Sequence, residues 1–297
     1  MRAIEWRGAC LLRWRQFTVR LVARRPTQRE LNDKIHFLEV NCAMLPTHFP
    51  KLALVAHRGL ATHYPENTWL ALEQAILAEA RVIEFDIQLS SDHVPVFFHD
   101  ETLARTCGVV GKVGDFTAAE LTALSCGYAD RFAETFADIT IDRLDTVVQQ
   151  FSSYPDAFLL AELKEESVAR FGLQVCMRGV YEALEPVRDR TCIISFASEV
   201  VTDARAHGWS IGWCVDNYDE SSRAISDRVR PDMLLVDEVN LHSPADLWPG
   251  DWQWAAWEVV DPVRAAALMR LGVHHVETYD CAALAADPAV QAALKQA

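Results

Sequence analysis

The sequence has no run of about 18 apolar residues, the length a helix needs to cross a bilayer, and its apolar stretches break early. Ala9-Cys10-Leu11-Leu12, for example, is ended by Arg13. Neither a membrane-spanning helix nor the apolar core of a secretory signal is therefore expected. An excess of basic residues is missing as well. Lys and Arg total 28 against 42 Asp and Glu, a formal net charge of −14. That argues against a general nucleic-acid binder, whose affinity rests on cations paired with phosphates. If the substrate is anionic, positive charge must be concentrated locally at its site. Paired cysteines are lacking too. The eight thiols, at positions 10, 42, 107, 126, 176, 192, 214 and 281, form no C-x-x-C pair and no cluster. Scattered thiols without an export signal fit a reducing cytosol better than a disulfide scaffold, so a cytoplasmic protein is expected. No internal repeat or low-complexity tract interrupts the chain.

What is present is enough for a sizeable core. The chain has 297 residues, 51% of them hydrophobic and 24% charged, which is room for one large domain or two small ones and too apolar for wholesale disorder. The charge is unevenly spread: residues 1–43 carry nine Lys/Arg and four Asp/Glu, whereas the remainder is strongly acidic. The stretch from Met1 to Arg25 is Arg-rich and nearly free of acids, as transit peptides are. The preferred reading is a loosely ordered extension over residues 1–43, or a start assigned too early, because Met44 stands just before the first convincing strand. Residues 44–297 then form the folded domain.

From Lys51 onward, short apolar β-rich runs alternate with helical stretches. The runs are Leu52–Ala56, Val82–Leu89, Val94–Phe98, Phe158–Leu163, Cys192–Phe196, Ile211–Val215, Met233–Val236, Ala255–Val260 and Val273–Glu277. Helix-like segments between them include Trp69–Ala80 and Val263–Leu271, the latter preceded by Asp261-Pro262, a capping residue followed by proline at the first helical position. About eight strands with intervening helices over roughly 245 residues is the size and rhythm of a (β/α)8 barrel of the TIM type. A doubly wound open sheet has the same local signals. One interval breaks the rhythm. From Phe98 to Phe158, with Gly108, Gly111, Gly114 and a helix-like Thr117–Leu124, the chain is long for a single βα connection. It predicts a small insertion after the third strand, about residues 107–142, over the barrel mouth.

Four strand ends carry polar groups that a buried strand does not normally tolerate. The first reads Val55-Ala56-His57-Arg58-Gly59, where a lone His is either a structural residue or a general acid/base. The second, Val82-Ile83-Glu84-Phe85-Asp86-Ile87, puts Glu84 and Asp86 on one face and the apolar residues on the other. Two carboxylates side by side repel unless a cation or hydrogen-bond donors compensate. They mark either a solvated edge or a metal site. The third, Val94-Pro95-Val96-Phe97-Phe98, leads into His99-Asp100. Only Ser90 to His93 separate it from Leu89, too few for a parallel crossover. A hairpin across that four-residue turn sets Leu89 opposite Val94 and Glu84 opposite His99, so that Glu84, Asp86 and His99 converge. The fourth, Ala161-Glu162-Leu163-Lys164, adds Glu162 and Lys164 on one face. Three carboxylates suit a hard divalent cation, Mg²⁺ or Ca²⁺, better than Zn²⁺. Arg58 and Lys164 suit an anionic, oxygen-rich group such as a phosphate.

These blocks carry a family resemblance. His57-Arg58-Gly59, Pro65-Glu66-Asn67-Thr68, Glu84-Phe85-Asp86, His99-Asp100 followed by Leu103-Ala104-Arg105-Thr106, and Glu162-Leu163-Lys164 resemble, in order and spacing, those of the glycerophosphodiester phosphodiesterases. The resemblance covers residues 52–164. It implies a TIM-type barrel with a small insertion and a divalent cation on Glu84, Asp86 and Glu162. It also implies His57 and His99 as the acid/base pair and Arg58 and Lys164 as phosphate contacts. Glu66 and Asn67 then orient other groups rather than react, and Thr68 caps the helix beginning at Trp69. The later part resembles the family less. Trp257-Glu258-Val259 is similar to a strand whose Trp lines the family's pocket, with Glu for Thr. Ala197 stands where an acid is usual, Tyr279 where an Asp is usual, and His93 replaces a turn glycine. These departures bear on the alcohol-binding end of the pocket.

The expected activity is metal-dependent hydrolysis of a small-molecule glycerophosphodiester to glycerol 3-phosphate and an alcohol. One alternative is a lysophospholipase D-like enzyme acting on lipid phosphodiesters, which an apolar rim around the mouth or on the insertion would favour. The other is a catalytically silent member that binds a phosphodiester or a protein. Trp248, Trp252 and Trp254 read as packing rather than a binding platform. His274 and His275 face opposite ways and cannot enter one site. Asp219-Glu220 and Asp237-Glu238 read as solvated loop charges.

Overall fold

The computed structural model of the protein describes residues 49–295; the extension expected over residues 1–43 lies outside the described residues. The apolar runs become strands β1 (Ala53–Ala56), β2 (Val82–Leu89), β3 (Pro95–Phe97), β4 (Phe158–Leu163), β5 (Thr191–Ser195), β6 (Ser210–Val215), β7 (Met233–Asp237), β8 (Gln253–Trp257) and β9 (His275–Thr278). Eight of them pair in parallel from β2 through β4 to β9, and β1 pairs with both β9 and β2. The sheet is closed, which decides for the (β/α)8 barrel over the open sheet. Its interior is filled by side chains such as Val55, Val82, Leu160, Cys192, Leu235 and Ala255. The alternate residues, Ile83, Phe85, Ile87, Ile193 and Val236 among them, pack outward beneath the helices. Gly212 is required inside. A Cβ there would come within 2.8 Å of Ile194 and 2.9 Å of Leu235.

Caps set the helix starts. Thr68 accepts the Ala71 N–H at the head of helix Trp69–Leu77, and Asp261 accepts the Val263 N–H at the head of Pro262–Leu271. Asp219 and Asp237 are capping residues too, and Glu238 pairs with Arg264, so these are not merely solvated charges. Trp252 and Trp254 are buried, and Trp248 stacks on Tyr218 with ring centroids 4.2 Å apart. His275, fully buried, meets Gln253 at 2.5 Å, whereas His274 accepts the Trp254 N–H. No helix among the described residues is long and apolar enough to cross a membrane.

Strand β3 is the expected antiparallel hairpin partner of β2, but its register corrects the sequence reading. Leu89 faces Pro95 and Ile87 faces Phe97, one residue away from the Leu89–Val94 pairing that set Glu84 opposite His99. The turn is tighter than it reads. The Ser90 N–H donates to the Val94 carbonyl, the Val94 N–H returns to the Ser90 hydroxyl, and His93 takes a left-handed φ of 63°. That leaves a three-residue loop closed by a left-handed residue, a common hairpin solution. After β3 the chain runs through short helices with a small core of their own, including Phe98, Leu103, Val113, Leu121 and Ile141.

Candidate active site

Barrel strands point alternate residues inward, and at the carboxyl ends of β1, β2 and β4 the inward residues turn from apolar to charged. Asp86 and Glu162 are lateral partners in the β2–β4 register, and Glu84 lies two residues back on the same inward face. Oxygens of Glu84, Asp86 and Glu162 lie within 4.8 Å of one another. Glu84 and Asp86 are each 1% exposed and Glu162 8%, so the solvated-edge alternative falls.

The neighbouring backbone is bent to serve these acids. Arg58 has φ 56°, which turns its N–H onto Glu84 Oε2 at 2.9 Å. Gly59 follows at φ 84°, and a Cβ there would sit 2.5 Å from the Ala71 backbone, so only glycine fits. Asn67, also left-handed, clamps Asp86 twice. Its amide donates to Asp86 Oδ2 at 2.7 Å and its carbonyl oxygen accepts the Asp86 N–H at 2.9 Å. Lys164 Nζ donates to Glu162 Oε1 at 2.7 Å and stands 3.5 Å from Asp86 Oδ1; Arg58 Nε is 3.2 Å from Asp86 Oδ2.

The two imidazoles border one cavity of about 140 Å³ with Arg58, Glu162, Lys164 and Trp257. His99 reaches it although the expected register does not. Strand β3 ends at Phe97, and the loop beyond is fixed by Gln88, whose amide donates to the His99 and Asp100 carbonyls. His99 Nδ1 is 2.7 Å from Asp100 Oδ1. Asp100 is held by Arg105, which also donates twice to Glu66 at 2.8 Å, and Glu66 accepts from Arg58 at 3.0 Å. Glu66 thus orients two guanidiniums. His57 differs. Its Nδ1 is buried without a hydrogen bond, and Nε2 lies 3.8 Å from Glu84 Oε2.

Electrostatics follow from burial in a mixed-charge pocket. Burial and the Arg58 charge push the His57 pKa well below its ordinary value. Glu84 is raised by burial and by Asp86, and Glu162 by burial and by Asp86. Burial would also raise Asp86, but Lys164 and Arg58 outweigh it and hold the group ionised.

The sequence reading passed over Glu277. It is 3% exposed, borders the same cavity, and burial with Glu162 and Asp86 pushes its pKa up to about 8. It closes the run Val273–Glu277 behind His274 and His275, so a polar strand end does not stand out there. Asp100 and Arg105 take no role in the sequence motifs, yet they pair with His99 and Glu66.

The donor set fits a hard divalent cation. Glu84 Oε1 is buried without a hydrogen-bond donor, and Asp86 Oδ1 has only the ion pair with Lys164 at 3.5 Å, a costly state for acceptors that a cation would relieve. Fold and site together define a (β/α)8 barrel whose mouth is able to hold such a cation beside an anion.

Comparison with known proteins narrows this. Residues 57–164 match the model of the glycerophosphoryl diester phosphodiesterase family. The chain is 32% identical over 143 residues to a glycerophosphodiester phosphodiesterase of Bacillus altitudinis, covering 48% of this chain and 57% of that protein. Over 117 residues it is 37% identical to one from Caldanaerobacter subterraneus, covering 39% and 46%. The chain thus spans about half the length of the curated relatives it matches. In fold it is similar to an Oleispira antarctica phosphodiesterase solved with the product sn-glycerol-3-phosphate, with a TM-score of 0.71 at 22% identity over 82% of this chain and 96% of that one. A Silicibacter pomeroyi protein described as a putative glycerophosphoryl diester phosphodiesterase gives a TM-score of 0.70 at 20% identity over 86% and 97%.

Proposed function

We propose that the protein hydrolyses water-soluble glycerophosphodiesters to glycerol 3-phosphate and an alcohol, with Mg²⁺ or Ca²⁺ held by Glu84, Asp86 and Glu162. The observation that carries this reading is the three-carboxylate cluster with both imidazoles and both cationic side chains around one cavity. A divalent cation there supplies charge neutralisation and polarisation of a phosphoryl oxygen. Arg58 and Lys164 bind the remaining phosphate oxygens and orient the diester. His57 and His99 serve as the acid/base pair, one taking the proton of the attacking hydroxyl and the other giving a proton to the leaving alkoxide. Trp257 lines the substituent side of the pocket. The attacking group is water or the substrate's own neighbouring hydroxyl; transient cyclic phosphate, followed by phosphorus NMR, marks the second course.

The family match over residues 57–164 and the similar fold solved with sn-glycerol-3-phosphate support the same substrate class. A lipid substrate is less well supported. A second groove of about 380 Å³ beside the cavity is bordered by Arg58, Glu66, Arg105, Arg131 and Asp280. Of the large exposed apolar side chains among the described residues, only Val260 lines it. We place the protein in the cytosol, in keeping with its scattered thiols.

The test is release of glycerol 3-phosphate from glycerophosphocholine with Mg²⁺ or Ca²⁺, with and without a chelator. Loss on chelation and recovery on adding the ion back are expected. Activity indifferent to the chelator would eliminate the cation, and lysolipids hydrolysed faster than glycerophosphocholine would favour the lipid enzyme.

A further inference from the structure

An acid/base histidine needs its ring plane fixed, and this is usually done by a hydrogen bond to the nitrogen that does not react. His99 has such a partner in Asp100. His57 does not. Its Nδ1 is buried and unpaired, and the 3.8 Å from Nε2 to Glu84 is beyond hydrogen-bond reach. What lies on the imidazole is the phenol ring of Tyr279, with centroids 4.7 Å apart and planes 14° from parallel.

Tyr279 is itself tied down. Its hydroxyl donates to Glu258 Oε1 at 2.8 Å, and the Arg58 guanidinium carbon stands 5.8 Å from its ring centroid. The His57 N–H donates to the Thr278 carbonyl at 3.0 Å, so the ends of β1 and β9 that carry the two rings are locked in register. Glu258 holds a left-handed φ of 60°, a conformation that non-glycine residues adopt at a cost and that clusters at functional sites. The Asp expected at this position from the family resemblance has no ring face to offer.

We propose that Tyr279 is a positioning residue for His57, its ring holding the imidazole plane in place of a hydrogen bond. The proposal rests on the acid/base reading of His57 given above. Ring-to-ring contact fixes the plane without engaging either imidazole nitrogen.

The test uses the full chain with Mg²⁺ and glycerophosphocholine, comparing Tyr279→Leu with Tyr279→Phe. Loss of the ring is expected to lower kcat by about 30-fold, the order of effect of a displaced catalytic group, with KM within about 3-fold. Tyr279→Phe, which keeps the stack, is expected to stay within about 3-fold of the parent in both. A second readout is independent of turnover: modification of His57 by diethyl pyrocarbonate, followed by mass spectrometry. It is expected to quicken about 10-fold in Tyr279→Leu, where the unheld ring can turn its buried Nδ1 toward the reagent, and not in Tyr279→Phe. An unchanged kcat in Tyr279→Leu overturns the proposal, as does a loss confined to KM, which makes Tyr279 a substrate contact. Equal impairment of both variants overturns it too, because the hydroxyl would then be the working group. If the parent releases no glycerol 3-phosphate, the functional reading fails, and the modification rates still decide whether the ring shields and holds His57.

Discussion

The mouth of the barrel is divided along the sequence. Strands β1, β2 and β4 deliver His57, Arg58, Glu84, Asp86, Glu162 and Lys164 to the site, whereas β5 to β8 deliver Ile194, Phe196, Cys214, Leu235 and Trp257 to its cavity, with Glu258 following β8 at the rim. Both groups occupy equivalent positions at the inward strand ends. One supplies charge and must be held by hydrogen bonds from its surroundings; the other supplies shape and is held chiefly by packing. The difference teaches where substitution is tolerated. A charged side chain works only with its partners in place, but an apolar wall can change its outline without losing the chemistry.

The comparison breaks first at the histidines. His57→Ala and His99→Ala are each expected to lower turnover by about 10²–10⁴-fold with unchanged circular dichroism and melting temperature. Near-normal hydrolysis by either variant removes that residue from the acid/base pair. The support of the charged half is tested next by Asn67→Ala. This strips both hydrogen bonds from the buried Asp86 and is expected to cost about 1–3 kcal/mol in denaturant unfolding, with weaker Mg²⁺ binding by titration. On the apolar side, Trp257→Ala is expected to raise KM about 5–10-fold with kcat little changed, the signature of a wall that binds ground and transition states alike. A fall in kcat alone would erase the division.

The smallest effect sits at the opposite end of the barrel. Burial lowers the His275 pKa to about 3, whereas the unfolded chain has the ordinary value of about 6.5. The unfolded state therefore takes up a proton as pH falls below 6.5 while the folded state does not. His275's contribution is complete above pH 6.5, is lost progressively from 6.5 toward 3 at about 1.4 kcal/mol per pH unit, and levels off below. Unfolding of the parent and of His275→Gln at pH 7 and pH 5.5 checks this: the variant is expected to lose less stability over that interval.

How much of this was legible depends on how local the cause is. The period-two alternation of Glu84 and Asp86, and the Asp261-Pro262 and Thr68 helix starts, are set by adjacent residues and read directly from the sequence. The β2–β3 hairpin was legible, but its register was not. The Ser90 hydroxyl captures the Val94 N–H, and His93 takes a left-handed turn, so a stretch that counts as a four-residue turn closes as three. His99 still reaches the cavity, through a loop that Gln88 fixes rather than through cross-strand pairing. The link from Arg105 through Glu66 to Arg58 depends on three loops meeting in space, which no spacing rule reports. Glu277 was missed for a similar reason. Its neighbours Glu162 and Asp86 lie more than 100 residues earlier in the chain.

The bond from the His57 N–H to the Thr278 carbonyl lies at the seam where the first and last barrel strands meet. During synthesis the residues of β1, β2 and β4 therefore emerge long before the strand that carries Glu277 and leads into Tyr279. A nascent or shortened chain ending ahead of His275 would hold every member of the carboxylate cluster yet lack the wall against which His57 rests. Under the proposed function, the site is then complete only once the final stave of the barrel is in place.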